Sequence, residues 1–290
     1  MNAANNPRVA LVTGASSGIG KQAAKALAAR GFRIIGTGRD AQRMAAAAAE
    51  IEAAGTGAGV TMLQADLSLL ADAARLAEAV QHHTPQLHLL VNNAGGMASE
   101  LVMTKEGLEA NFAGNHLGPF LLTHLLTPLL RKTAMEAGRG QVRIINTSSD
   151  ASEMIPGIDL DDIQGLKNYN VGAAYCRGKL ANVLFARGLA VHLGADGIIA
   201  HAYHPGAVDS NFFSYAPEET RARVRDLPKA TEVEGADTLV WLATAGEPAL
   251  SNGLYWHKRA VRTPNKLAED ADFVEKFWRK SAELAGCPAA

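Results

Sequence analysis

Cysteine is nearly absent from this sequence. The 290 residues hold two, Cys176 and Cys287, too few and too far apart for a disulfide framework or a zinc site. Reduced thiols are the expectation. Charge imbalance is missing as well: 28 Lys and Arg against 29 Asp and Glu leave a net charge of −1, which gives no electrostatic case for nucleic acid or an anionic membrane. No stretch approaches the ~20 uninterrupted apolar residues of a membrane span. Residues 1–7 form a polar tail without the basic start and apolar run of a signal peptide, so a cytoplasmic location is expected. The nine histidines include no His-x₃-His pair with a carboxylate partner, which leaves no metal site to expect. No linker, repeat or low-complexity tract divides the chain, and one domain over residues 1–290 is the reading.

What is present is alternation. Apolar runs at 8–13, 32–38, 60–65, 87–91, 142–146, 198–203 and 253–256 read as strands. Helical patterns fall between and after them, at 21–30, 41–54, 69–82, 104–136, from Tyr175 to about Leu193, at 233–245 and near 270–284. Pro119 and Pro128 lie inside the long fourth pattern and are expected to kink or interrupt it. Strands alternating with helices of this length imply an α/β fold, a single doubly wound parallel sheet with helices on both faces.

The first strand runs into Thr13-Gly14-Ala15-Ser16-Ser17-Gly18-Ile19-Gly20 and then a helix, the context in which a glycine loop carries meaning. Gly14 permits the turn, Gly18 the approach of a pyrophosphate, and Gly20 close packing of helix on strand, as in Rossmann-type dinucleotide sites. Helix N–H groups and the positive dipole end then face the phosphates. Gly14, Ser16, Ser17, Gly18, Ile19 and Gly20 are therefore candidate cofactor contacts. An NAD site places Asp or Glu at the end of the second strand. Here that end reads Gly38-Arg39-Asp40. A guanidinium at Arg39 suits a 2′-phosphate, which a carboxylate would repel, so NADP(H) is favoured over NAD(H). Asp40 reads as a helix cap. Asp66, followed by Leu67, ends the third strand and suits either the adenine amino group or a cap before Ser68. Asn92-Asn93-Ala94-Gly95 ends the fourth strand, at the sheet edge where ligands bind; a plain turn is the alternative.

Tyr175 and Lys179 are four residues apart on one helix face. A positive charge beside a phenol lowers its pKa from about 10, which makes Tyr175 a candidate proton donor and acceptor. The pair gains weight only from the signals upstream.

In order, TGASSGIG (13–20), NNAG (92–95), NHLGPF (115–120), NTSS (146–149), YCRGK (175–179) and HPGAV (204–208) resemble the short-chain dehydrogenase/reductase family over roughly residues 8–258. The run YCRGKLANVLFARGLA, preceded by QGLKNYN, further resembles its retinol dehydrogenase-like branch; light-dependent protochlorophyllide reductases are a more distant likeness. The resemblance implies an NADP(H)-dependent oxidoreductase acting on a carbonyl or alcohol, with bulky apolar ketones or aldehydes the expected class. It makes Tyr175 the general acid or base and Lys179 the holder of the nicotinamide ribose. Ser149 becomes the hydroxyl that polarises the substrate, with Ser148 its rival, and Asn115 the organiser of a water relay. Asn93, Ala94, Gly95, Pro205, Gly206, Val208 and Ser210 become contacts near the cofactor, and Asn111 is taken as structural.

Two departures stand out. Gly178 replaces a usual Ser, and Pro119 a common His. The long stretch from Ser149 to Tyr175 contains an inserted loop, 150–172, as in the retinol dehydrogenase-like branch. That loop, residues 209–230 and the C-terminal segment 259–290 are the expected substrate-determining regions. Ile155, Leu160, Phe212, Phe213, Tyr215 and Trp256 are either pocket wall or ordinary packing. Two apolar stripes on the Tyr175 helix suggest a homodimer. The competing readings are a nucleotide-sugar epimerase, for which the C-terminal region is too short, and a non-catalytic NADP(H)-binding regulatory or scaffold protein on the same fold.

Overall fold

A computed structural model describes residues 7–209, 218, 222 and 229–289. Strands β1 (Val9–Val12), β2 (Arg33–Gly38), β3 (Val60–Gln64), β4 (Leu89–Asn92), β5 (Arg143–Thr147), β6 (Ile199–His204), β7 (Tyr255–His257) and β8 (Ala260–Val261) form one sheet in the order 3-2-1-4-5-6-7-8. All pairings from β3 to β7 are parallel, and β8 closes the edge antiparallel to β7. β1, β4 and β5 are buried at every position. Their continuous apolar character follows from helices covering both faces.

Helices α1 (Gly18–Ala28) and α2 (Ala41–Ala54) lie on one face, with α7 (Glu232–Thr244) beside α1. There Leu27, Ile34, Val91, Leu239 and Trp256 share a core. α3 (Leu70–His83), α5 (Gly118–Ala137) and α6 (Val171–Leu193) cover the other, meeting around Leu11, Leu76, Leu90, Leu122 and Ile144. Trp256 thus belongs to the core and not to a pocket wall; Ile155 and Leu160 pack against a third cluster around Phe112 and Leu184. Phe212, Phe213 and Tyr215 lie outside the described residues, as do Ser210 and most of 209–230.

The long fourth helical pattern begins later than expected. Residues 104–109 are a turn, α4 (Ala110–Phe112) starts the helix, and a π-helical turn (Ala113–Leu117) leads into α5. Pro119 stands in the first turn of α5, where a missing N–H costs little, and Pro128 sits inside an unbroken helix. The interruption is the π turn instead.

The last helix, α8 (Ala271–Ala285), buries Val274, Phe277, Trp278, Ser281, Ala282 and Ala285 and stops at the left-handed Gly286. It packs on α5 and α6, so that Phe185, Leu189 and Leu193 of α6 meet Trp278. The second apolar stripe of α6 is therefore covered from within the chain, and it does not call for a second subunit. No helix among the described residues is long and apolar enough to cross a membrane.

Candidate active site

The parallel sheet brings the ends of β1, β4, β5 and β6 to one edge, and the crossover between β1 and β4 opens the crevice there. After β1, Gly14 and Gly18 adopt left-handed backbone, φ 69° and 59°. A Cβ on Gly20 would overlap the Gly14 carbonyl, so helix and loop meet in a way only glycine allows. The N-terminus of α1 receives no hydrogen bond from the Ser17 side chain, leaving it available to an anion. Thr13 pins the turn after β4 to the loop: its hydroxyl accepts from Asn93 N–H and Ala94 N–H, each at 2.9 Å, and Asn93 Nδ2 donates to Thr13 O at 3.0 Å. Ile19 and Val208 close over Gly235 of α7.

At the end of β2, Gly38 has no room for a side chain. A Cβ there would fall 2.7 Å from Ser16 Oγ and 2.8 Å from Met44 Cγ. Arg39 is exposed and lies 3.8 Å from Asp66, while Asp66 accepts from both Ser68 N–H and its hydroxyl at 3.0 and 2.8 Å. Asp66 is therefore a cap whose second oxygen faces Arg39. Asp40 caps α2 through Arg43 N–H at 2.8 Å. Beside the glycine loop a pocket of about 260 Å³ is lined by Ser16, Ser17, Lys21, Arg43 and Glu50. Lys21 and Arg43 escaped the sequence reading; the signal was their spacing, one turn into the two helices that flank β2. Leu67 is buried, its carbonyl against Gly118 at the start of α5.

The second half of the site hangs on α6. Asn170 caps it through Ala173 N–H at 2.9 Å, so the helix starts at Val171, four residues before Tyr175. Tyr175 and Lys179 share a face, with the ammonium 5.6 Å from the phenol ring centre. Lys179 is buried and its Nζ donates to Thr147 O at 3.4 Å. Burial lowers its pKa to about 8. The expectation of an acidified Tyr175 is corrected here: burial raises the phenol above its ordinary value, and the Ser149 hydroxyl only partly offsets this. The desolvation cost of a phenolate outweighs an ammonium that faces the ring.

Of the two serines, Ser148 is buried and donates to Lys179 O at 2.7 Å, which ties β5 to α6. Ser149 is the one bonded to Tyr175. Asn115, on the π turn, donates to Gly96 O at 2.9 Å and Asn111 O at 2.8 Å, and its buried Oδ1 has no partner. A Cβ on Gly95 would overlap that oxygen and fall 3.4 Å from Lys179 Nζ, so Gly95, Asn115 and Lys179 converge on one spot. Gly178 lets α6 approach: its Cβ would sit 3.1 Å from Asn115 Cβ. Pro205 and Gly206, the latter at φ 91°, turn the chain after β6, and Val208 bridges to Ala230.

Two further residues were not legible. Glu109 is fully buried; its carboxylate accepts from Asn111 N–H (3.0 Å), Phe112 N–H (2.7 Å) and the Tyr169 hydroxyl (3.1 Å). It thereby fastens the inserted loop to the helix that bears Asn115. Asp150 accepts the Ser149 hydroxyl at 2.9 Å. Among the described residues no cluster of His, Cys, Asp and Glu is arranged to hold a metal.

Residues 8–221 match the family model for short chain dehydrogenase. The chain belongs to the short-chain dehydrogenase/reductase family. It is 37% identical over 280 residues to retinol dehydrogenase 12 of Bos taurus, covering 96% of this chain and 86% of that protein, which places it with the retinol dehydrogenase-like branch of these oxidoreductases. A solved structure of an uncharacterised protein from Mycobacterium paratuberculosis superposes with TM-score 0.75 at 29% identity, covering 100% of this chain and 99% of the other. A second, described as a Pseudomonas aeruginosa RhlG/NADP active-site complex, gives TM-score 0.68 at 30% identity, covering 86% and 93%.

Proposed function

We propose that this oxidoreductase uses NADP(H) to interconvert a carbonyl and an alcohol, on a bulky apolar ketone or aldehyde. The observation that carries the reading is the convergence of Ser149, Tyr175, Lys179 and Asn115 at the sheet edge, next to a glycine loop shaped for a dinucleotide. The residues fit that cofactor. Gly14, Ser16, Ser17, Gly18, Ile19 and Gly20 would take the pyrophosphate, and Lys21, Arg43 and Arg39 would face a 2′-phosphate. Asp66 and Leu67 would border the adenine, while Asn93, Ala94, Gly95, Pro205, Gly206 and Val208 would line the nicotinamide side. The crowding at Gly38 supports NADP(H), because the acid of an NAD site has no space there. The similar RhlG protein, solved as an NADP complex, agrees with this choice.

When bound, the cofactor supplies or removes the hydride. The chain's own residues handle the proton. In reduction, Tyr175 gives its hydroxyl proton to the carbonyl oxygen; in oxidation it takes the proton from the alcohol. Ser149 orients that oxygen. Lys179, a buried cation that pairs with no carboxylate among the described residues, would hold the ribose hydroxyls. The unpartnered Asn115 Oδ1 beside it would hold the water that returns the proton to solvent. A cytoplasmic location is part of the same proposal.

The test is a panel of apolar ketones, aldehydes and alcohols, with NADPH and NADH compared by absorbance. Turnover with NADPH at a kcat/KM at least about tenfold above NADH is expected, a factor that one charge-assisted phosphate contact supplies. Equal or better use of NADH would overturn the cofactor assignment.

A further inference from the structure

Ser149 has one hydroxyl proton, and the structure commits it. Its Oγ lies 2.9 Å from Asp150 Oδ1, and an ionised carboxylate only accepts. The same Oγ accepts from Ala151 N–H at 3.2 Å and is hydrogen-bonded with the Tyr175 hydroxyl. Ser149 therefore stands between Tyr175 and Asp150, with its proton on the Asp150 side. The Ser149 hydroxyl, which a reacting carbonyl oxygen needs as a donor, is thus turned toward Asp150. A carboxylate is a much stronger acceptor than a neutral carbonyl, so a plain ketone competes poorly for the Ser149 proton.

Asp150 is fixed from behind and open in front. Its N–H donates to His204 Nδ1 at 3.2 Å, as does Gly206 N–H at 3.4 Å. The neutral ring then carries its proton on Nε2, which is 3.8 Å from Asp150 Oδ2, beyond hydrogen-bond length. Arg262, the nearby guanidinium, is held by Glu153 at 2.6 and 2.8 Å. Among the described residues no lysine or arginine pairs with Asp150, and its side chain keeps 48% of its surface exposed.

We propose that Asp150 determines substrate choice: the preferred carbonyl compound carries a hydrogen-bond donor, a hydroxyl or an ammonium, one or two carbons from the reacting carbonyl. This rests on the oxidoreductase reading and names its substrate class more closely. The carbonyl oxygen must sit one hydrogen bond from Ser149 Oγ, and Asp150 Oδ1 sits one hydrogen bond from the same atom. The two oxygens are thus at most about 5–6 Å apart, a gap that a donor on the α or β carbon spans. Such a donor replaces the Ser149 proton on Oδ1. Ser149 is released to turn toward the carbonyl.

The test compares matched pairs, acetophenone and cyclohexanone each with its α-hydroxy derivative, run alongside the carbonyl panel with NADPH. Wild type, Asp150→Asn and Asp150→Ala are measured, reading each variant that retains wild-type NADPH affinity. Wild type should favour the hydroxyketone in kcat/KM by about tenfold or more, since a site built to bond a substrate hydroxyl discriminates at least that strongly. In Asp150→Ala the ratio should fall toward one, chiefly because the plain ketone improves, a gain that a merely structural role does not produce. Turnover with the same ratio in wild type and variants overturns the proposal and leaves the oxidoreductase reading standing. Absence of turnover across the whole panel with either cofactor overturns both.

Discussion

Lys179 holds its ammonium 5.6 Å from the centre of the Tyr175 ring, facing the phenol without making it acidic. The groups that keep Tyr175 protonated are its burial and the negative charge of Asp150, with smaller effects from Cys176 and Tyr255, while the Ser149 hydroxyl acts against them. The positive nicotinamide of an oxidised cofactor would add the missing attraction.

Alcohol oxidation needs Tyr175 as a base, so its rate should rise with pH. Asp150→Asn removes a negative charge that opposes the phenolate and should move the rising limb of the kcat/KM profile to lower pH by up to about one unit. Profiles of the two enzymes with NADP⁺ check this; a shift to higher pH contradicts it.

Lys179 is 4% exposed and titrates near 8 instead of 10.5. The unfolded chain holds that proton more tightly, so stability rises as pH climbs from about 8 to 10.5, and the cost of burying the cation is full below 8. Lys179→Met should therefore stabilise the cofactor-free protein at pH 7 by roughly 1–3 kcal/mol, flatten that pH dependence and lose turnover. Urea unfolding at neutral and alkaline pH is the measurement.

Acid acts through buried imidazoles. Burial lowers His116 to about 3 and His201 and His204 to about 4, from 6.5. Their contribution is complete above 6.5 and is lost as pH falls toward 4. His116 shows why. Ser281 gives its proton to Phe277 O, so it accepts from His116 Nε2 at 2.8 Å, and Nδ1 is left buried without a partner. A second ring proton would have no acceptor. Thermal unfolding should drop steeply between pH 6 and 4, as titration of buried groups in roughly that range implies, and His116→Gln should flatten part of the slope.

Gly38→Asp imitates the acid of an NAD site. Its Cβ meets Ser16 Oγ and Met44 Cγ at 2.7 and 2.8 Å, so NADPH affinity should fall without a matching gain for NADH. Arg39→Ala should weaken NADPH binding about tenfold and leave NADH unchanged. Fluorescence titration with both cofactors separates these outcomes.

The strand and helix order, and the placing of Gly14, Gly18 and Gly20, were legible because they depend on local periodicity and on backbone that only glycine adopts. Asn115, Ser149, Tyr175 and Lys179 were found as motif positions. Their surroundings were not. Whether Ser148 or Ser149 meets Tyr175 depends on how α6 crosses β5, which no local pattern encodes. Glu109 and Asp150 act through contacts 60 residues away and one residue away respectively, and neither sits in a recognisable spacing. The second stripe of α6 was visible as a pattern, yet its partner, Trp278 in α8, lay too far along the chain to be assigned.

The most direct measurement is single-turnover carbonyl reduction by Tyr175→Phe at saturating NADPH, with cofactor affinity determined on the same sample. Loss of the Tyr175 proton should slow hydride transfer by about 10²–10⁴-fold while NADPH affinity stays at the wild-type value. A Phe variant that reduces the carbonyl at the wild-type rate would contradict the role given to Tyr175.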